Sequence, residues 1–267
     1  MHKERTVTAE GEAMQLGSKA RRDAIVRLAT ETGPANVDDL SRKFAVTAST
    51  IRRDLALLTD AGRLARTYGG AISVTAHPEA TLRQRLGEAY LAKQAIARWA
   101  RMQVRSGETL LLDAGSTVGA LAHELRSATS IRVATVGLTT LNELADVDEV
   151  EVECLGGRLR HISQGFVGPL TEAALERMTF DRVFLGTDGV HPVHGICEAE
   201  LEQTRLKELM AGRAREVYVL AHADKLGESP FHAWAKLPAG WHLVTDQSAP
   251  DSMVARFETA GVEVVRA

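Results

Sequence analysis

From Thr109 onward, short apolar runs alternate with amphipathic stretches, and this alternation limits the possible folds more than any other feature of the chain. The runs are Thr109–Asp113, Ile131–Thr135, Val150–Leu155, Arg182–Leu185, Val217–Ala221, His242–Thr245 and Val262–Val265. Between them, helical patterns fit Thr117–Leu125, Thr139–Leu144, Leu170–Met178, Glu200–Ala214 and Pro250–Ala260. Unbroken Leu/Val runs, in place of every-other-residue patterns, belong to strands buried on both faces. Strands of that kind alternating with helices predict an α/β domain with a mostly parallel sheet. The 45% hydrophobic and 25% charged fractions are those of an ordinary globular protein. No apolar run approaches the ~18 residues of a membrane span, and the first residues lack the apolar core of a signal peptide. A cytoplasmic protein that binds no membrane is expected.

Residues 1–72 differ in kind. Ser18 precedes a helical pattern over Lys19–Thr32 that stops at Gly33-Pro34. Asn36 can cap a second short helix, with Asp39 as its capping-box partner and Val37, Leu40 and Phe44 on the apolar face. Thr47 can cap a third, running to about Ala61, with Ile51, Leu55 and Leu58 inward and Gly62 as its stop. The segment Arg63–Ser73 reads as two short strands around Gly69-Gly70. Three helices and a two-stranded ribbon make a winged helix-turn-helix. The expected organisation is a flexible tail over 1–18, the winged helix over 19–73, a linker over 74–88 and the α/β domain over 89–267. A helix over Glu88–Gln103 opens that last domain.

Charge supports the division. The whole chain carries 32 Lys+Arg against 35 Asp+Glu, a net of -3. Residues 1–72 have 12 basic and 9 acidic groups, and the remainder 20 and 26. Six basic residues and two acidic ones fall within Arg42–Arg66. A compact basic patch on an acidic protein steers polyanions, whatever the total. Ala48, Ser49, Arg52 and Arg53 project from the N-terminal half of the third helix, the part of a recognition helix that meets base edges. Arginine forks fit guanine or phosphate, and Thr47, Ser49 and Thr50 are short donors for phosphate oxygens. Arg66 and Tyr68 sit on the wing, within reach of the DNA backbone or minor groove. Helical spacing alone equally permits a protein-interaction module.

The residues themselves are more specific. Val46-Thr47, Thr50-Ile51-Arg52-Arg53-Asp54-Leu55, Leu58, Gly62, Arg66 and Gly69-Gly70-Ala71 closely resemble the DNA-binding domain of the DeoR-type family of bacterial sugar-catabolism repressors. Tyr68 stands where that family more often has His.

In open parallel sheets, ligands bind beyond the carboxyl ends of the strands. The loop Asp113-Ala114-Gly115-Ser116-Thr117 leaves a strand and opens a helix, with free N–H groups and hydroxyls suited to an anion such as phosphate. Helix capping by Ser116 or Thr117 is the plainer alternative. Gly156-Gly157-Arg158, Gly186-Thr187-Asp188-Gly189, and His222 with Asp224 and Lys225 fall at other strand ends. Several polar groups at one sheet edge suggest a polar ligand pocket. Arg158 and Lys225 could pair with phosphate, and Asp188 could accept from sugar hydroxyls.

Residues 75–265 also resemble the sensor domain of the same family, through DAGST, GGRLR, FVGP (Phe166–Pro169), FLGTDGV (Phe184–Val190) and the Lys225 loop. That domain is similar in fold to ribose-5-phosphate isomerase and typically binds a phosphorylated sugar. The resemblance implies a repressor released from operator DNA by such an inducer; no cofactor is expected, and because helix-turn-helix proteins usually read paired half-sites, a homodimer or homotetramer is. The resemblance adds Gly137 and Lys207 to the expected ligand residues. Three departures stand out: Thr135-Val136-Gly137 replaces the usual Thr-Asn-Ser, Gln203 a common Glu, and His222 a common Asp. Loss of two acids would make the site less negative.

Other features point elsewhere. His191 and His194 could hint at a metal, but Pro192 and Gly195 favour a turn, and no metal or catalytic residue is assigned. Cys154, in an apolar strand, reads as a core residue. Glu198 beside Cys197 would raise that thiol's pKa and leave it unreactive. Phe231–Trp234 and Trp241 read as packing a late loop, where they could cover the pocket. Asp113, Asp188, Glu200 and Lys225 could serve an isomerase-like enzyme instead, although a fused DNA-binding module argues against one.

Overall fold

The computed structural model describes residues 17–31, 35–60, 64–67, 70–73 and 79–267. Two compact units divide the chain, residues 1–78 and 79–267. The expected tail through residue 16, the stops at Gly33-Pro34 and Gly62, the wing positions Tyr68 and Gly69, and linker residues 74–78 lie outside the described residues.

In the first unit, α1 (Ser18–Glu31), β1 (Ala35–Asn36), α2 (Val37–Phe44), α3 (Ala48–Asp60), β2 (Leu64–Thr67) and β3 (Gly70–Ser73) follow in order. Ile25, Leu40, Phe44, Ile51, Leu55 and Leu58 form one buried core, so the helical spacing read from sequence is the packing face. β2 and β3 pair antiparallel as a wing. β1 adds a third, two-residue strand, in which the Asn36 backbone pairs with Gly70 directly before α2 begins. Asp39 accepts a hydrogen bond from Arg42.

The second unit runs through α4 (Leu82–Gly87), α5 (Tyr90–Gln103), β4 (Thr109–Leu112), α6 (Ser116–Leu125), β5 (Ile131–Thr135), α7 (Leu138–Leu144) and β6 (Val150–Cys154). β7 (Arg158–Arg160), β8 (Gly165–Val167), α8 (Pro169–Leu175), β9 (Phe180–Leu185), β10 (Gly189–His191), β11 (Gly195–Glu198) and α9 (Leu201–Gly212) follow. β12 (Ala214–Leu220), β13 (Ala233–Ala235), β14 (His242–Thr245), α10 (Asp251–Thr259) and β15 (Glu263–Arg266) complete it. Seven strands form one sheet in the order β15-β14-β12-β9-β4-β5-β6. Every neighbouring pair in it is parallel.

Side chains alternate across that sheet. Leu110, Leu112, Phe184 and Leu220 join a core with Ile96 of α5 and Val118 and Leu121 of α6. Leu111, Val183, Leu185 and Val219 join the opposite core with Leu206 and Met210 of α9 and Phe257 of α10. Burial on both faces is why these strands read as unbroken apolar runs. Among the described residues, no helix is long and apolar enough to cross a membrane.

Three expectations need correction. The helix expected over Glu88–Gln103 starts at Tyr90, because Ala89 takes a left-handed conformation (φ 47°), and a separate α4 precedes it. α4 lies inside the stretch assigned to the linker, and a Thr81/Gln84 capping box starts it. Cys154 is exposed, because β6 is an edge strand of the sheet. Ala233–Ala235 is a strand paired with β11 and not a loop. Strands of three or four residues, such as β7, β8, β10, β11 and β13, are too short to show a period in sequence.

Candidate functional site

In the first unit, α2 and α3 meet at a tight turn. Ala45 N donates to Arg42 O and Val46 N to Ser41 O, with Ala45 in a left-handed conformation (φ 49°). Thr47 then caps α3, its Oγ1 accepting from Thr50 N at 3.3 Å and lying 2.8 Å from Ser49 Oγ. With Ile51, Leu55 and Leu58 buried, Thr47, Ser49, Arg52 and Arg53 are left exposed, and Ala48 and Thr50 half-exposed. Asp54, one of the two acids in the basic segment, is buried and receives a 2.6 Å hydrogen bond from Arg21. Its charge is therefore already matched within the fold, and the outer face of α3 stays basic. Arg66 lies on β2.

In the second unit, a cavity of about 40 Å³ opens at the carboxyl ends of the central strands. The loop after β4 supplies Asp113, Gly115, Ser116 and Thr117, and the loop after β9 supplies Thr187 and Asp188. Val136, Glu198, Gln203, Lys207, Lys225 and Arg85 complete much of its wall. Gly115, at φ 130°, holds a conformation open to glycine and turns the chain into α6. A Cβ on Gly137 would lie 3.0 Å from Asp113 O, so glycine there lets β5 approach the loop closely.

Lys207 sits at the base of the cavity. Its Nζ donates to Gly186 O at 2.9 Å, lies 3.0 Å from Asp113 Oδ2, and pairs with Glu198. Asp113 in turn accepts from Ala114 N at 2.7 Å and Gly186 N at 3.0 Å. Burial works against the Lys207 charge, but Asp113 and Glu198 outweigh it and raise its pKa. Gln203 Nε2 donates to Glu198 Oε2 at 3.3 Å.

Other cations are less well matched. Lys225 donates to Thr187 O at 2.5 Å, and burial lowers its pKa, with Arg85 and Lys207 adding to the effect. Lys93 donates to the Arg85 carbonyl, and burial, then repulsion from Lys225, lowers it to about 8. His222 falls to about 4, through burial and then the charges of Lys225 and Lys93. It therefore stays neutral where an acid would have offset those lysines.

A profile of the DeoR-like helix-turn-helix domain matches residues 21–77, and one of the DeoR C-terminal sensor domain matches residues 88–247. The chain belongs to the DeoR family. The HTH-type transcriptional regulator GlpR of Haloferax volcanii is 33% identical over 92% of this chain and 96% of its own length. The lactose phosphotransferase system repressor of Streptococcus mutans is 30% identical over 87% of this chain and 94% of its own. Among solved structures, ribose 5-phosphate isomerase A of Methanocaldococcus jannaschii aligns with 50% of this chain and 52% of its own, at 16% identity and a TM-score of 0.37. So slight a likeness carries no argument about activity.

This DeoR-family protein is thus a DNA-binding transcriptional regulator and not an enzyme. Its sensor domain gathers most of the sequence-derived ligand residues at one cavity: Asp113, Gly115, Ser116, Thr117, Asp188, Lys207 and Lys225. Gly137 stands just behind, and Gly157 and Arg158 do not line it. Arg158 is exposed and pairs with Glu202. The aromatic segment stays away as well: Trp241 packs edge-on against Phe257, and Trp234 beside His194. His191 Nδ1 accepts from Val193 N and His194 N, which makes the pair a turn between β10 and β11. Among the described residues, no His/Cys/Asp/Glu cluster is arranged to hold a metal. Sequence reasoning missed Arg85 and Glu198, which reach the cavity from a short helix and a four-residue strand, and Lys93 of α5, which stands behind Arg85 and bonds its carbonyl.

Proposed function

We propose that this regulator represses a carbohydrate-catabolism operon and leaves its operator when a phosphorylated sugar fills the sensor cavity. The observation carrying this reading is the group of basic side chains Arg85, Lys93 and Lys225 near the start of α6, where burial disfavours the charges of Lys93 and Lys225, Lys225 adds to the effect on Lys93, and Arg85 and Lys207 add to that on Lys225. An anion there relieves the repulsion, and the free N–H groups of α6 with the Ser116 and Thr117 hydroxyls suit a phosphate ester. Asp188 and Gln203, both in the cavity wall, are assigned to the sugar hydroxyls. Val136, where the family resemblance leads one to expect Asn, gives the cavity an apolar wall and selects a sugar with fewer polar groups on that side.

The DNA contacts assigned are Thr47, Ser49 and Thr50 to phosphates, Ala48, Arg52 and Arg53 to bases, and Arg66 and Tyr68 to the flanking backbone or minor groove. Paired half-sites call for a homodimer or a homotetramer. α5 offers the exposed Tyr90, Leu91 and Met102 as part of that contact. A thermal-shift screen against phosphorylated sugars tests the effector. A ligand at ~100 times its Kd stabilises by ~2.7 kcal/mol, roughly 5–10 °C for a domain of this size. The free sugars should give no shift. An equal response to both forms would contradict the phosphate assignment.

A further inference from the structure

We propose that Arg85 contacts the effector's anionic group directly, and that binding exchanges its ion pair with Asp188 for that contact. This rests on the effector reading above and adds a residue and a movement to it.

Arg85 comes from α4, a helix strapped to the sensor domain at its N-terminal end. Thr81 and Gln84 cap it, Leu82 is buried, and Leu82 N donates to Ile162 O at 2.8 Å. Arg160 holds Glu79, just ahead of it, by two hydrogen bonds. From this fixed base the Arg85 side chain reaches the cavity and donates through Nη1 to Asp188 Oδ1 at 2.7 Å. Its Nε and Nη2 are buried without a hydrogen-bond partner, and so is Asp188 Oδ2. Nη2 comes only to 3.7 Å from Glu79, whose carboxylate is taken by Arg160.

A guanidinium has five donors in a planar fork, and here most of that capacity is buried and unpartnered. Lys207 is fully committed, to Asp113, Glu198 and Gly186, whereas Lys225 and Lys93 each donate one bond to a carbonyl, of Thr187 and of Arg85. Arg85 has both Nε and Nη2 without a hydrogen-bond partner, and a guanidinium fork matches two phosphate oxygens at once. Turning it releases Asp188 to accept sugar hydroxyls and widens a cavity that now has room for little more than water. α4 is the first helix of the second unit, so a change at Arg85 falls on the chain segment that leads back to the DNA-binding unit.

Isothermal titration of the full-length protein tests this, with ribose 5-phosphate, glycerol 3-phosphate, galactose 6-phosphate and inorganic phosphate as probes. For the tightest probe, Arg85→Gln should weaken binding about 10- to 100-fold, the range of a lost charge-assisted contact. Arg85→Lys, which keeps the charge and loses the fork, should weaken it several-fold. If Arg85 were only a plug, both variants would bind as tightly as the wild type or more so. That result overturns the proposal and leaves the effector reading intact. Wild-type protein that binds none of the probes overturns both. Should Arg85→Gln fail to fold, Arg85→Lys decides, and unchanged affinity in it counts against the proposal.

Discussion

Replacing Lys207 with Met removes the cation that sits between Asp113 and Glu198. All three side chains are nearly inaccessible, at 8%, 5% and 3% exposure. Met fills similar space, so the change is chiefly one of charge. Two carboxyls are then left buried with the Gly186 N and Ala114 N donors to Asp113 and the Gln203 amide to Glu198. Removing one member of a buried ion pair costs about 3–5 kcal/mol. For a domain of this size that lowers Tm by roughly 6–20 °C. The loss should also depend on pH. Burial already raises the Glu198 pKa in the wild type against the pull of Lys207, and without Lys207 it rises further. A carboxyl whose folded pKa lies above its unfolded value binds an extra proton in the folded state. Its contribution to stability is present at low pH and is lost as pH rises through the folded value. Urea denaturation of Lys207→Met should therefore show a smaller deficit at pH 5 than at pH 8. A deficit under about 1 kcal/mol at pH 8, or one equal at both pH values, would refute the reasoning.

Other outcomes follow from the same geometry. Arg52→Ala should lose ~1–3 kcal/mol of operator affinity if Arg52 reads a guanine, with little change on unrelated DNA, as fluorescence anisotropy would measure. Lys93, lowered to about 8 by burial and Lys225, is half-deprotonated near that pH. A bound phosphate raises its pKa, so phosphate-ester binding should take up a proton near pH 8 and weaken as pH climbs further, which calorimetry in buffers of different ionisation enthalpy detects. Maleimide should label native protein at the exposed Cys154 and spare Cys197, whose thiol burial pushes up to about 11. Rapid labelling of both would contradict the packing around β11.

Sequence was most informative where one element declares itself over many residues. The apolar runs at Leu110–Leu112 and Val183–Leu185 marked a doubly covered sheet, because both faces of each strand are buried. Ile51, Leu55 and Leu58 placed Arg52 and Arg53 outward by helical geometry alone. It was least informative where segments are short or contacts join distant ones. Glu198 meets Lys207 only nine residues on, but the four-residue β11 that carries it is too short to show a period. Arg85 reaches Asp188 across 103 residues of chain. Arg158 follows a strand end like the lining residues, but in the β7–β8 hairpin it is β8 that lines the cavity, through Gly165, Phe166 and Val167, while Arg158 on β7 is exposed and pairs with Glu202.

The central claim is that one ligand class controls one DNA affinity. Anisotropy of a labelled fragment from the chain's own promoter, titrated with phosphorylated sugars and their free counterparts at fixed salt, measures that link directly. Tight, sequence-dependent binding that a phosphorylated sugar abolishes and its free sugar leaves unchanged is the expected result. Operator affinity indifferent to every phosphorylated sugar, or binding indifferent to DNA sequence, would contradict it.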